Sequence, residues 1–209
     1  HQRLEQMKLR FQREARLMAR ISHPHVALVY EAGFDADQPY FVMEYLGGPA
    51  LDARLSQPPA LNHLEAFEVG RQVAEALAHA WLEHRLIHRD LKPANIVFAT
   101  PETVKLVDLG IAKVMGAENA TALLKTAVGT PIGTALYMAP EQHLGKEDLD
   151  HRVDLYALGA VICEMLIGEP PFAGQNIMQV YQAKLRGLPP SVMAKAPDLP
   201  TPAYALLAK

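Results

Sequence analysis

His88-Arg89-Asp90-Leu91-Lys92-Pro93-Ala94-Asn95, followed twelve residues later by Asp108-Leu109-Gly110, is the stretch on which the fold turns. Ile96 to Phe98 and Val104 to Val107 read as short strands on either side of Thr100-Pro101-Glu102, so both loops hang on one small hairpin. Upstream, Asn62 can cap a helix with Glu65 three residues on; its inner stripe is expected to run through Leu64, Phe67, Gly70, Ala74, Leu77 and Trp81. That helix delivers the chain to His88. Downstream, Val153 to Ile162 is apolar enough for a central core helix, and Gly168-Glu169-Pro170-Pro171 stops it.

Further out the periodicity changes. Residues 5 to 21 suit an amphipathic helix with Phe11, Ala15, Met18 and Ile21 on one side, ended by Ser22-His23-Pro24. Val26 to Tyr30 and Tyr40 to Tyr45 read as two strands joined by a loop over Gly33 to Pro39. Two strands make a marginal sheet, so this region calls for more strands than the chain supplies. Residues 111 to 138, rich in Ala, Gly and Thr, read as a long mobile segment. A further helix is expected over 176 to 186, then a proline-broken tail from Pro189 to Pro202 and a helical start at Ala203.

Composition narrows the class. Half of the 209 residues are apolar, enough for a sizeable core, and 20 Lys plus Arg against 23 Asp plus Glu leave a formal charge of -3. No nucleic-acid footprint is expected. The only cysteine, Cys163, sits in an apolar run and reads as a buried thiol. No apolar run is long enough to span a bilayer, and the charged start lacks a signal-peptide core, so the portion shown reads as cytoplasmic.

The decisive loops carry chemistry. Asp90 is a carboxylate able to take a proton from a hydroxyl, Lys92 a cation two residues away, and Asn95 and Asp108 are hard oxygen donors suited to Mg²⁺. An isolated Asp in a turn is usually a backbone cap, but these four residues in register suit phosphoryl transfer from a magnesium-bound nucleotide. His143 and His151 lack metal-ligand spacing and are expected to be exposed polar residues.

In order and spacing, His88 to Asn95, Asp108-Leu109-Gly110, Ala139-Pro140-Glu141 and Asp154 to Gly159 resemble the landmarks of eukaryotic-type protein kinases. Gly133 to Gln142 is most similar to the bacterial serine/threonine kinases. The resemblance implies an α+β fold: a partial small lobe of helix plus β-hairpin over 1–46, and most of a mainly helical large lobe over 47–209. It implies transfer of the terminal phosphoryl group of ATP, with Mg²⁺, to a Ser or Thr hydroxyl of a protein substrate. Asp90, Lys92, Asn95 and Asp108 would be the catalytic set, with Asn95 and Asp108 holding the metal.

By the same resemblance Met43 is the gatekeeper, the backbones of Glu44 and Leu46 pair with adenine, and Val97 forms the floor beneath the ring. Glu14 matches the helix glutamate that pairs with a strand lysine. Met18, Val29, His88 and Leu109 map onto a stacked apolar column, with His88 packed in the core and bonded to backbone. Asp154 maps onto the carboxylate that holds the catalytic loop, and Thr134 onto a residue beside the catalytic Asp and Lys. Arg89 would bind a phosphate on the loop carrying Thr126 and Thr130.

The pattern is broken at both ends. The glycine-rich loop and strand lysine of the family lie upstream of the Glu14 helix, and Lys8 is too close to serve. No Arg follows Arg186 to pair with Glu141. The chain therefore reads as an excerpt of a kinase, whose parent could be membrane-anchored. The alternative is a noncatalytic kinase-like module, or pseudokinase, acting through its surfaces, for instance by pairing as a dimer with a complete kinase.

Overall fold

The computed structural model describes residues 11, 15, 17–36, 38–59, 61–109, 132–146 and 148–195. Glu14, the threonines at 121, 126 and 130, and the start expected at Ala203 lie outside the described residues, as does most of the segment expected to be mobile. Phe11, Ala15, Leu17 and Met18 are helical, and Phe11, Ala15, Met18 and Ile21 are all buried, as the periodicity predicts. Phe11, Ala15 and Met18 pack on an antiparallel hairpin, β1 (Val29–Asp35) and β2 (Gln38–Met43), while Ile21 joins the larger core. Phe11 meets Phe34 and Phe41 with ring centroids 4.7 and 5.1 Å apart.

The hairpin corrects the sequence reading: β1 begins and ends later than expected and β2 earlier, so that most of the expected loop is strand. The turn is tight, and Ala36 adopts a left-handed φ of 53° there. Gly33, read as a turn marker, lies inside β1 opposite Tyr40, and a Cβ at Gly33 would come within 2.7 Å of the tyrosine hydroxyl. The glycine makes room for a ring on the neighbouring strand.

The larger part is mostly helical. It contains α1 (Leu51–Leu55), α2 (His63–His84), β3 (Ile96–Thr100), β4 (Thr103–Leu106), α3 (Ile132–Ala135), α4 (Pro140–His143), α5 (Arg152–Ile167), α6 (Ile177–Leu185) and α7 (Pro190–Lys195). The expected Asn62 and Glu65 capping box starts α2, and Gly168, at φ 80°, ends α5. The expected stripe of α2 holds at Gly70 and Leu77, with Phe67 and Ala74 packed at its margin, and is corrected elsewhere. Ala66, Val69, Val73, Ala76, Leu77 and Ala80 face the core, while Leu64 is 71% exposed. Small side chains win because α5 lies close: a Cβ on Gly70 would stand 2.8 Å from Ile162 Cδ1. The proline-rich tail also differs, since Pro190 opens α7, where its missing N–H costs nothing.

Two links fix the β3–β4 hairpin, and hence the decisive loops. Gln72, buried on α2, donates to Glu102 O at 2.8 Å and accepts from Val104 N at 2.8 Å. On the other side, Ala27 N donates to Leu106 O at 2.8 Å, and Leu106 N to His25 O at 2.9 Å. The connector from β2 closes against β3 at Gly48, where an added Cβ would sit 2.2 Å from the carbonyl oxygen of Phe98. Backbone cannot swing aside as a side chain can. Gly48→Ala is therefore expected to lower stability by about 1–3 kcal/mol, read as a lower denaturant midpoint with unchanged slope.

Candidate functional site

The loop after α2 is shaped by its own backbone before any ligand arrives. Arg85, left-handed at φ 53°, ends the helix, and Arg89 takes φ 68°. Asp154, buried near the start of α5, accepts His88 N at 2.7 Å and Arg89 N at 2.8 Å. Burial pushes its carboxyl up, against the pull of His88 and the two amides. One carboxylate thus holds the bend that carries Asp90.

Beyond it, Asn95 closes a second clamp. Its Nδ2 donates to Asp90 O at 2.8 Å, and its own amide donates to Lys92 O at 3.0 Å within the 3₁₀ turn Pro93–Asn95. With the amide nitrogen spent this way, the remaining polar atom of the side chain is Asn95 Oδ1, an acceptor that can ligate a metal. Lys92 Nζ lies 2.8 Å from Asp90 Oδ2 and 3.4 Å from Thr134 Oγ1. The side chains of Asp90 and Lys92 are 30% and 26% exposed, so the pair stands at a rim that a substrate can reach.

Asp108 comes to the same place through the hairpin. Val107 N donates to Asn95 O at 3.0 Å, tying the loop of Asp108 to that of Asn95. Asp108 is exposed in a left-handed conformation at φ 59°, and among the described residues no cation pairs with it. An exposed carboxylate on a loop tied by its backbone to that of Asn95 supplies, with the amide oxygen, hard donors of the kind that suit Mg²⁺, which keeps most of its shell for water and phosphate.

Beside Asp108 lies a small cavity lined by Met18, Ile21, Val26, Val29, Met43 and Leu109 among others. Met43 and three members of the expected apolar column, Met18, Val29 and Leu109, therefore meet at one wall. The fourth, His88, is buried, but its expected ring bonds are corrected: among the described residues neither ring nitrogen has a hydrogen-bond partner. It is the main-chain amide of His88 that is bonded, to Asp154.

The connector after β2 carries the other expected groups. Glu44 N donates to Leu28 O at 2.9 Å, so of its backbone only the carbonyl is open to a ligand. Its carboxylate accepts Leu28 N at 2.8 Å and Lys105 Nζ at 2.6 Å. Burial opposes its charge, but these two bonds hold its pKa below the usual range. Leu46 is half-buried, and Val97 is half-exposed on β3 between buried Ile96 and Phe98. Ala50 bridges to Val97, which brings the connector over that strand.

Several residues escaped the sequence reading. Gln142 Nε2 donates to Arg89 O at 2.8 Å while its Oε1 accepts Ala139 N at 2.9 Å, so α4 is tied to the Asp90 loop. Lys184 on α6 is buried, and its Nζ donates to Ala135 O and Met138 O. The signal for it was available: Lys184 stands four residues after Val180, on the helix face that turns inward. His143 and His151 are half-buried rather than exposed, their rings against Tyr181 and Trp81 at 5.5 and 4.9 Å. Burial, then the charge of Lys184, pushes the pKa of His143 down to about 4. Cys163 is a core thiol whose pKa burial raises to about 11. Among the described residues no helix is long and apolar enough to cross a membrane.

Known proteins resemble this chain in sequence and fold. The family profile described as protein kinase domain matches residues 1–204. The serine/threonine-protein kinase PknB of Mycolicibacterium smegmatis is 39% identical over 189 residues, covering 88% of this chain and 29% of the relative. The probable serine/threonine-protein kinase PknB of Lactococcus lactis is 35% identical, covering 91% and 29%. This chain thus spans under a third of their length. The PknI kinase domain of Mycobacterium tuberculosis superposes with a TM-score of 0.70 at 30% identity, covering 97% of this chain and 69% of that one. Rad53 in complex with AMP-PNP superposes at 0.77 with 25% identity, covering 95% and 49%.

Proposed function

Because this chain belongs to the protein kinase family, and is closely related to the bacterial serine/threonine kinases, we propose that its site transfers the terminal phosphoryl group of ATP to a Ser or Thr hydroxyl of a protein substrate. Residues 1–46 contribute part of the small lobe, and 47–209 the large lobe. The observation that carries the reading is Lys92, whose ammonium touches both Asp90 and Thr134 while Asn95 clamps the loop between them.

Asp90 orients the acceptor hydroxyl and takes its proton as the bond to phosphorus forms. Lys92 lies beside it, where it offsets the negative charge spreading over the transferring oxygens. Asn95 Oδ1 and the Asp108 carboxylate hold Mg²⁺. The ion, when bound, neutralises and orients the phosphate tail. The carbonyl of Glu44 and the backbone of Leu46 bind adenine, with Met43 behind the ring and Val97 below it. Glu14 takes part in positioning the phosphates. Rad53, similar in fold, is known with AMP-PNP bound, which supports a nucleotide here. The cytoplasm is the compartment for this chemistry.

The test is a phosphate-transfer assay on the complete protein with a Ser/Thr peptide. Asp90→Asn is expected to lower kcat by about 1,000-fold or more while ATP binding holds within about twofold. Unchanged turnover would remove Asp90 from its role.

A further inference from the structure

Lys184 is out of place for a residue that only fills a core. It is 5% exposed, on a face of α6 shared with fully buried Val180, and among the described residues no carboxylate pairs with it. Burying an ammonium without a counter-ion is costly, and an aliphatic side chain there would be stabilising. Burial lowers its pKa to about 7. What faces it is polar but uncharged. Nζ lies 2.7 Å from Ala135 O, donates also to Met138 O, and stands 5.5 and 5.8 Å from the ring centroids of Tyr156 and Phe172. The titratable groups that face it are Tyr156, whose pKa burial raises, and His143 on α4, whose low pKa keeps it neutral at pH 7.

The two carbonyls belong to the segment that flanks Asp90. Thr134 contacts Lys92, Gln142 holds Arg89 O, and Tyr137 Oη donates to Glu164 at 2.6 Å. Among the described residues no backbone amide bonds Ala135 O or Met138 O. Lys184 is what satisfies them. Without it both carbonyls would be left to turn toward other donors, and the strip of backbone between Thr134 and Gln142 would lose its anchor on α6.

We propose that Lys184 is a positioning residue for the protein acceptor: by holding Ala135 O and Met138 O it sets the segment 133–142 at the distance from Asp90 that seats an acceptor chain. This rests on the kinase reading above. Lys184 touches neither nucleotide nor metal site, so its effect falls on acceptor binding and leaves ATP binding alone.

The experiment compares Lys184→Met, close in shape and without charge, with the parent in the complete protein. Peptide KM is expected to rise about tenfold, with kcat at saturating peptide and KM for ATP within about twofold. Amide hydrogen exchange is measured in parallel, and is expected to quicken at Leu136, Tyr137 and Gln142 while α2 and α5 stay protected. Unchanged exchange and unchanged peptide KM would overturn the proposal. So would exchange that quickens equally in α2 and α5, because Lys184 would then support the fold at large. The exchange readout needs no turnover, so a parent that fails to transfer phosphate refutes the kinase reading and still leaves the Lys184 anchor to be judged.

Discussion

Asp108→Asn is expected to cost at least about 1,000-fold in phosphate transfer and to leave the fold intact. Asp108 is exposed, at φ 59°, with no cation paired to it among the described residues, so its carboxylate charge supports no packing. Asparagine tolerates the left-handed region, and the substitution keeps the backbone while removing a full negative charge from the metal site. A metal titration should show the loss directly: half-saturation in Mg²⁺ moves upward, and kcat remains depressed at saturating metal. Thermal melting should coincide with the parent. Turnover equal to the parent at low Mg²⁺ would refute metal binding at this position.

Asp154→Ala should produce the opposite pattern, a large loss of stability. Its two carboxylate oxygens accept the amides of His88 and Arg89, and the residue is 3% exposed. Truncation strands both donors away from water, at about 1–3 kcal/mol each. The sum, about 2–6 kcal/mol, is a large share of a stability of about 5–15 kcal/mol. Asp154→Asn retains one acceptor oxygen and should lose less. Denaturant unfolding checks the order, parent above Asn above Ala. An Ala variant as stable as the parent would show that the bend at Arg89 holds without Asp154.

The two variants mark what could be read along the chain. The company Asp90 keeps was legible because short loops let neighbouring residues set the geometry: Lys92 reaches Asp90, and Asn95 clamps it, within a span of five positions. The α2 capping box and the Gly168 stop were legible for the same reason, since each is completed within four residues. Gly33 misled because its neighbour Tyr40 is on the other strand, and Leu64 misled because the close approach of α5 favours small residues over large ones.

Sequence by itself determined which polar groups share each short loop and the order in which they arrive, because loop motifs and helix caps are local agreements between side chain and adjacent backbone. Tertiary structure supplied the contacts that hold those groups in place: the two amides on Asp154, whose part the family resemblance had implied, and, with no forewarning in the sequence, Gln142 on Arg89 O, Glu44 on Lys105 and Lys184 under Ala135 and Met138. Each of these joins residues 46 to 66 positions apart, the widest being Asp154 to His88. A polar side chain on a helix carries no mark of the distant carbonyl or amide it will meet; only the packing of α5 and α6 against the loops supplies that partner, and the cost of leaving it unbonded makes the pairing obligatory.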